Sequence, residues 1–275
     1  MPVARWKAGL LSLGLLVLAL GFWEIGARPP AASSAAGAYA ALVASDAETA
    51  RLPPPSAVFR LAFAQLSDPF YDHGPNDKGI GIQLLHSLGR VATGYGLALA
   101  VAIPIGFLIG MSPLLLEVLN PFIQLLRPIS PLAWMPIALF VIKDSAASAV
   151  FVIFICSVWP VLINTAFGVS RVHRDYINVA QTLELSRVDT ALRVILPAAL
   201  PTILTGMRIS IGVSWLVIVA AEMLVGGTGI GYYVWNEWNN LDLASVIFSI
   251  LVIGVVGLGL DSLIAGAARR VSYES

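Results

Sequence analysis

The sequence predicts an all-α, polytopic membrane protein with about six transmembrane helices. Hydrophobic residues make up 58% of the chain and charged residues 12%, against about 45–50% and 25% in an ordinary soluble domain. The apolar residues also occur in long runs, several of which reach the roughly 20 residues that a helix needs to cross a bilayer. The formal net charge is zero, so the composition indicates lipid as a partner and offers no case for nucleic-acid binding.

The first segment, residues 1–27, predicts an N-terminal transmembrane helix whose N-terminus is cytoplasmic. Arg5 and Lys7 precede an apolar run from Ala8 to Phe22. A cleavable signal peptide has a similar pattern, and the small residues from Ala31 to Ala38 would suit cleavage. We favour the helix because the later spans need no separate export signal. Both interpretations place the following residues outside.

Residues 28–82 predict a periplasmic loop. The stretch is rich in Pro, Ala, Ser, Asp and Gly, which are turn and loop residues. Residues Pro55 to Leu66 are long enough for one or two amphipathic turns. A loop of this length is often functional, so contact with a substrate-binding protein is one interpretation and a passive external loop is the other.

Residues 83–275 predict a core of five spans. Alternation from an external Gly81 places the loop from Arg171 to Arg193 and the C-terminus in the cytoplasm, and residues 226–240 outside. The positive-inside rule agrees, because four arginines lie in that loop and Arg269-Arg270 end the last span. The five apolar runs are Leu84 to Met111, Leu114 to Ile142, Ala146 to Val169, Ala198 to Val225 and Leu243 to Ala265.

Proline and glycine residues indicate that these spans surround a pathway. Broken helices at membrane depth occur only where protein or a water-filled cavity satisfies the freed backbone groups, so residues 127–131 are expected to line one. Small residues allow helices to pack closely, and four glycines in the second span predict such a contact. The prolines expected to break the middle three spans are Pro104, Pro121, Pro128, Pro131, Pro136 and Pro160, and the glycines are Gly94, Gly96, Gly106 and Gly110.

Two arginines inside apolar runs, Arg127 and Arg208, are candidate pathway residues. A charge at membrane depth is costly, and an arginine facing a cavity would attract an oxyanion through its charge and paired N–H donors. Structural pairing or snorkelling explains such residues equally well. Glu222, near the outer end of its span, is expected to pair with a cation elsewhere. The residues predicted to line the translocation pathway are Arg127, Ser130, Met135, Met207 and Arg208.

A charged stretch within residues 171–197, which we call the coupling segment, predicts two short helices between spans. Apolar residues at spacings of three and four form one helix stripe, at Tyr176, Val179, Ala180 and Leu183. Ser186 to Asp189 is a capping-box pattern that begins a second helix, and Pro197 is expected to end it. Such a pair of helices is either a knob that docks on another protein or a solvated amphipathic loop.

The coupling segment resembles the EAA motif of permease subunits in binding-protein-dependent ABC importers. That motif has Glu-Ala-Ala, then a glycine, and later a hydrophobic residue and Leu-Pro. In this chain Asn178-Val179-Ala180 stands at the Glu-Ala-Ala position and Glu184 stands at the glycine. Val194 stands at the hydrophobic position and Leu196-Pro197 at the Leu-Pro position. The following run from Leu196 to Gly231 is similar to the nitrate/sulfonate/bicarbonate group of these permeases. Two stretches resemble the nitrate and bicarbonate members most. They are PISPLAWMPIALF from Pro128 to Phe140 and NNLDL from Asn239 to Leu243.

This resemblance implies a five-helix, type I importer-like permease core in a bacterial inner membrane. It also implies a homodimer with two ABC ATPase subunits and a periplasmic or lipid-anchored substrate-binding protein. Alternating access would follow ATP-driven closure of the ATPase dimer, with the turn at Glu184-Leu185-Ser186 at the ATPase interface. The residues implied to couple the permease to the ATPase are Asn178, Ala180, Leu183, Glu184, Leu185, Ser186 and Pro197.

The chain carries no pattern that predicts catalysis or a metal site. It contains no Walker A lysine loop, and His73, His86 and His173 are scattered. The glycines of Gly226 to Gly231 are expected to form a turn, since no Lys-Ser/Thr follows them. We therefore predict a non-enzymatic pore subunit that binds no cofactor, with ATP and Mg²⁺ on the partner ATPases.

The predicted cargo is a small inorganic anion, nitrate or nitrite, or bicarbonate. A sulfonate or taurine permease of the same group is one alternative. A self-contained anion channel or secondary transporter, which needs no ATPase, is another.

Overall fold

The computed structural model describes residues 3–27 and 52–271. The possible cleavage region at residues 31–38, much of the predicted periplasmic loop and the last four residues lie outside the described residues. The described part is almost entirely helical, which confirms the predicted all-α class. The helices are α1 (Val3–Ala27), α2 (Pro55–Ser67), α3 (Ile80–Met111), α4 (Pro113–Leu126), α5 (Met135–Ile142), α6 (Ser145–Ser170), α7 (Arg174–Thr182), α8 (Arg187–Thr190), α9 (Leu196–Val225), α10 (Ile230–Asn239) and α11 (Leu243–Val271).

Five helical segments are long and apolar enough to cross a membrane within the described ranges. The segments are Gly9–Ala27, Ile80–Met111, Ser145–Ser170, Arg187–Val225 and Leu243–Arg269. The bent pair Pro113–Leu126 and Pro131–Ile142 brings the number to 6 if it crosses as one span. The predicted count of about six spans is consistent with this set.

The contacts divide the chain into two units, of which the smaller comprises residues 1–81 and 233–252. Within it, α1 packs on α2, and the Glu24 carboxylate accepts hydrogen bonds from the Ser56 amide and hydroxyl, both at 3.1 Å. The region predicted to contain one or two turns is thus a helix of 13 residues, begun by Pro55 at its first position.

A two-stranded hairpin follows in the same unit, with β1 at Asp72–Gly74 and β2 at Asp77–Lys78. The sequence did not predict these strands. The Lys78 ammonium donates to the Asp72 carboxylate at 2.7 Å, and this hydrogen bond holds the pKa of Asp72 below its ordinary value. This hairpin is the short connection between α2 and the long helix α3.

The larger unit comprises residues 82–232 and 253–275, and its core is the contact between α6 and α9. A Cβ on Gly206 would lie 2.6 Å from the Asn164 Cβ, so glycine permits this close approach. Buried hydroxyls join the two helices, since the Ser157 and Ser214 oxygens lie 2.6 Å apart. The Ser210 hydroxyl also donates to the Ser157 carbonyl at 2.9 Å. These three serine hydroxyls all have a partner, as a membrane interior favours, whereas the buried Thr165 hydroxyl of α6 has none among the described residues.

Helix α3 approaches α6 through three of the four glycines predicted to allow close packing. A Cβ on Gly94, Gly106 or Gly110 would lie 2.5–2.7 Å from a backbone oxygen of α6. The expectation for Gly96 was wrong, because no atom lies within 4 Å of its built Cβ. Gly96 is two residues from Gly94 and therefore points to a different side of the helix.

The prediction that six prolines break the middle spans is wrong for three of them. Pro104, Pro121 and Pro160 lie inside continuous helices, and neighbouring helices in a membrane protein can re-satisfy the freed carbonyls. Pro131 is the first residue of a 3-10 turn and Pro136 is the second residue of α5, both next to the break between α4 and α5. The N–H groups of a first helical turn have no acceptor within the helix, so proline costs no hydrogen bond there.

The break itself lies between α4 and α5, where the helix axes bend by 83°. The apolar run Leu114 to Ile142, predicted as one span, is therefore two helices joined by Arg127 to Ser130 and a 3-10 turn at Pro131–Trp134. Arg127 keeps helical backbone angles, with φ −56° and ψ −43°, and the helix ends just before Pro128, which has no N–H to donate to the next turn.

Candidate functional site

The coupling segment forms two short helices, as predicted. Helix α7 starts after His173, whose Nδ1 accepts from the Asp175 amide at 3.4 Å. Helix α8 starts after Ser186, whose hydroxyl oxygen accepts from the Asp189 amide at 3.1 Å. The Ser186 hydroxyl in turn donates to the Asp189 carboxylate at 2.6 Å. The capping position inferred from Ser186 to Asp189 is therefore confirmed. In a full capping box the Asp189 carboxylate would accept from the Ser186 backbone amide, whereas here it accepts from the Ser186 hydroxyl.

The turn between α7 and α8 is a Schellman motif with Glu184 in the left-handed conformation. The Leu185 amide donates to the Ala180 carbonyl at 3.1 Å, and the Glu184 amide donates to the Gln181 carbonyl at 2.9 Å. Glu184 has φ +53°, a conformation that glycine adopts without cost and that a side chain disfavours. The resemblance to the EAA motif aligns Glu184 with that motif's glycine, the residue that a left-handed position favours.

Glu184→Gly is expected to stabilise this turn by about 1 kcal/mol, because it removes the left-handed strain of a residue with a Cβ. The measurement is resistance of the turn to limited proteolysis in the purified full-length chain. Thr182→Gly is the control, since Thr182 is helical and glycine there should destabilise α7 by roughly 0.3 kcal/mol. Equal resistance in both variants would contradict the assignment of strain to Glu184.

One face of α7 exposes apolar side chains. Tyr176, Val179 and Leu183 are 59%, 58% and 66% exposed. Ala180 was predicted to share this stripe, and that assignment was wrong, because Ala180 is 1% exposed and packs inward. Val188 and Leu192, at 66% and 57%, add two more exposed apolar side chains to the segment. An apolar stripe of this kind on a polar segment is typical of a docking surface.

Pro197 does not end the second helix, contrary to expectation. A π-helical turn at Ala191–Ile195 joins α8 to α9, and the Leu196 amide donates five residues back to the Ala191 carbonyl. The wider turn accommodates Pro197 within the first turn of α9. As a result, Arg187–Val225 is one helical stretch of 39 residues.

The remaining predicted coupling residues divide between the surface and a groove. Glu184, Ser186 and Pro197 are exposed, and Leu185 is half-buried. Asn178 and Leu185 line a groove on the other side of α7 from the apolar stripe. Thus Asn178, Ala180 and Leu185 do not belong to the stripe of Tyr176, Val179 and Leu183.

Among the predicted pathway residues, Arg127 lines a cavity of about 190 Å³ beside the break between α4 and α5. The other lining residues are Ile129, Pro131, Ile155, Cys156, Trp159, Pro160 and Val213. No acidic side chain lines this cavity, and Arg127 has no ion-pair partner among the described residues. The cavity therefore offers a cation in otherwise largely apolar surroundings.

Arg208, by contrast, forms an ion pair with Asp261 of α11. Its Nε and Nη2 donate to the two carboxylate oxygens of Asp261, each at 2.6 Å. The two side chains are 51% and 44% exposed, so the pair lies on the surface of the larger unit. Sequence reasoning missed Asp261, although an acidic residue in the last apolar run was a visible signal.

The other predicted pathway residues do not share the Arg127 cavity. Ser130 is exposed in the connection between α4 and α5. Met135 is 1% exposed and packs with Ala138, Val152 and Ala221 in a hydrophobic cluster. Met207 is half-buried, and its carbonyl accepts from the Tyr95 hydroxyl at 3.1 Å. In this conformation Met135 is a core residue.

Glu222, which was expected to pair with a cation, pairs with Arg90 of α3. The carboxylate is fully buried, and Arg90 Nη1 donates to it at 2.6 Å and to the Thr228 carbonyl at 2.7 Å. The Ser87 hydroxyl lies 2.8 Å from both carboxylate oxygens, and the Gly231 amide donates to one of them at 3.0 Å. Arg90, an arginine inside the second apolar run, was the visible signal for this partner.

The same cluster holds the loop of residues 226–230 through its backbone. The Gly229 amide donates to the Gln83 side chain at 2.6 Å, and the Ile230 amide donates to the Ser87 hydroxyl at 2.9 Å. Gly226 and Gly227 have φ of +73° and +94°, values that favour glycine. The glycine-rich stretch is therefore the turn that its sequence predicted.

Residues 102–273 match the family model of the binding-protein-dependent transport system inner membrane component. The chain belongs to this family. It is therefore a multi-pass permease of an ABC importer system, and family membership favours this assignment over the self-contained channel or secondary transporter.

Two curated relatives and one solved structure illustrate the similarity. The nitrate import permease protein NrtB of a Synechocystis species is 46% identical over 218 residues, 79% of each chain. The bicarbonate transport system permease protein CmpB of the same species is 47% identical over 231 residues, 83% of this chain and 82% of the relative. An inward-facing structure of the MetNI methionine ABC transporter superposes with TM-score 0.61 at 12% identity, covering 70% of this chain and 95% of that chain. The permease thus has the type I importer fold.

Proposed function

We propose that this permease imports a small inorganic anion, nitrate or bicarbonate, with energy from partner ATPases. The observation that carries the proposal is the 46% and 47% identity to a nitrate and a bicarbonate permease over about four-fifths of the chain. The cation at the 190 Å³ cavity supports it, because Arg127 supplies planar, paired donors that match an oxyanion.

The proposed assembly contains two copies of the permease, two ATPase subunits and a periplasmic or lipid-anchored substrate-binding protein. ATP and Mg²⁺ bind to the ATPases, and this chain binds no cofactor. The exposed stripe of Tyr176, Val179 and Leu183 supports ATPase docking, because three large apolar side chains on a charged segment lose water-exposed area only against a partner. In this arrangement the coupling segment and both termini are cytoplasmic.

The experiment that tests this function is uptake into vesicles that hold the permease together with the ATPase and binding protein encoded beside it. Labelled nitrate, bicarbonate and taurine are compared with and without ATP. The proposal expects ATP-dependent uptake of nitrate or bicarbonate and none of taurine. Preference for taurine, or uptake that needs no ATP, would overturn it.

The two pathway arginines are expected to respond differently to replacement by glutamine. Arg127→Gln should lower uptake per folded complex on the order of tenfold, because a charge-assisted contact to the anion is lost. Arg127→Lys, which keeps the charge but not the planar fork, should lower it less. Arg208→Gln leaves Asp261 without its partner inside an apolar span, where an unpaired charge is costly, so it should lower the amount of folded protein.

Uptake normalised to folded complex separates these effects. Arg208→Gln with Asp261→Asn is the control, since the double variant leaves no unpaired charge and should recover folded protein. Unchanged normalised uptake in Arg127→Gln would remove Arg127 from the pathway.

A further inference from the structure

A groove of about 750 Å³ lies behind α7, on the side opposite to its exposed apolar stripe. Its walls come from the ends of the spans, at Gly110 and Met111 of α3, Leu116 of α4, and Val169 of α6. The remaining wall is the coupling segment. The groove therefore lies where membrane-spanning helices meet the segment that follows them.

The charge in this groove is of one sign. Arg174 of α7 and Arg187 of α8 line it from two different helices, and no acidic residue lines it. Neither arginine has an ion-pair partner among the described residues, whereas Arg193 of the same segment pairs with Asp189 at 3.2 Å. Asn178 and Gln181 add amide groups on the α7 side. Two free guanidinium groups and two amides suit a phosphate group.

The floor of the groove is apolar. Leu116, Val169, Ile177, Leu185 and Ile195 line it together with the polar groups. A soluble inorganic anion has no apolar part to bury against these side chains, whereas a phospholipid has both an anionic headgroup and a hydrocarbon chain. Basic pockets beside the cytoplasmic ends of transmembrane helices are typical sites for anionic lipid headgroups.

We propose that this groove binds one anionic phospholipid. Its phosphate lies between Arg174 and Arg187, and the part of an acyl chain next to the headgroup lies on the apolar floor. The lipid would fill the space between the span ends and α7 and so hold α7 in position. The apolar stripe on the opposite side of α7 would stay exposed. This site does not depend on which anion the permease transports.

Native mass spectrometry of the purified full-length permease tests the proposal by titration with phosphatidylglycerol and phosphatidylcholine of the same acyl chains. We expect one tightly bound phosphatidylglycerol per chain. Each arginine near a membrane surface contributes about fivefold to such binding, so Arg174→Gln with Arg187→Gln should weaken it about 25-fold. Both arginines are exposed, so the double variant is expected to fold.

Arg171→Gln with Arg193→Gln is the matched control. These arginines belong to the same segment, but Arg171 stacks on the Phe167 ring at 3.9 Å and Arg193 pairs with Asp189. Phosphatidylglycerol binding should stay within about twofold of the original value in this control, because neither residue lines the groove. Gln181→Trp should also weaken binding, since the indole would fill the groove without changing its charge.

Three results would overturn the lipid site. The first is equal binding of the two lipids, and the second is an equal loss in the groove and control pairs, which would indicate general surface charge. The third is displacement of phosphatidylglycerol by millimolar inorganic phosphate with unchanged affinity in Gln181→Trp, which would assign the arginines to a soluble anion.

Discussion

Leu183→Glu is expected to release the ATPase from this permease and to abolish ATP-driven uptake. Leu183 is 66% exposed and ends the stripe begun by Tyr176 and Val179. In the proposed assembly this side chain is buried against the ATPase. A large apolar side chain at the centre of an interface contributes about 2 kcal/mol or more, which is roughly a 30-fold loss of affinity, and burying an unpaired carboxylate adds to it.

Co-purification of the ATPase with the tagged permease measures this loss directly. Leu66→Glu is the matched control, because Leu66 is an equally exposed leucine, at 61%, on helix α2. It should leave the amount of bound ATPase unchanged. If Leu183→Glu keeps its ATPase and transports normally, the stripe is not the docking surface.

Glu222→Ala is expected to destabilise the permease by about 3–5 kcal/mol, the range for removing one partner of a buried ion pair. The change leaves the Arg90 guanidinium, the Ser87 hydroxyl and the Gly231 amide without their shared acceptor. The loop of residues 226–230 loses part of its attachment at the same time. We therefore expect a lower thermal unfolding temperature and faster proteolysis at this loop.

A double-variant cycle separates the ion pair from the other contacts of Glu222. Arg90→Met combined with Glu222→Leu should recover part of the loss, because no unpaired charge then remains buried. Glu117→Ala is the control, since Glu117 is exposed and has no ion-pair partner among the described residues. An unfolding temperature equal to that of the unchanged protein in Glu222→Ala would show that the cluster does not hold the loop.

The sequence predicted local features of the fold well. Apolar runs located four of the five core spans, the exception being the bent pair α4 and α5, and the hydroxyl of Ser186 located the start of α8. Both depend on residues within a few positions of each other. The charged residues between two apolar runs located the two short helices α7 and α8. These features depend on short-range chemistry that a single sequence carries.

The features that the sequence did not predict depend on distant residues. Arg208 pairs with Asp261, 53 positions away, and Arg90 pairs with Glu222, 132 positions away. Whether Pro160 interrupts its helix or Pro197 ends one depends on packing and on the π-helical turn, which composition does not reveal. The burial of Ala180 likewise follows from which side of α7 meets the rest of the unit.

The π-helical turn joins α8 and α9 into one continuous helical rod. The stretch Arg187–Val225 has 39 residues and is roughly 58 Å long at 1.5 Å per residue. If such a rod tilts about its middle, a displacement of one end appears at the other with similar size and opposite direction. One end carries α8, and the other carries Glu222 with its hold on the glycine turn. A displacement of α8 would thus reach the glycine turn through a single unbroken helix.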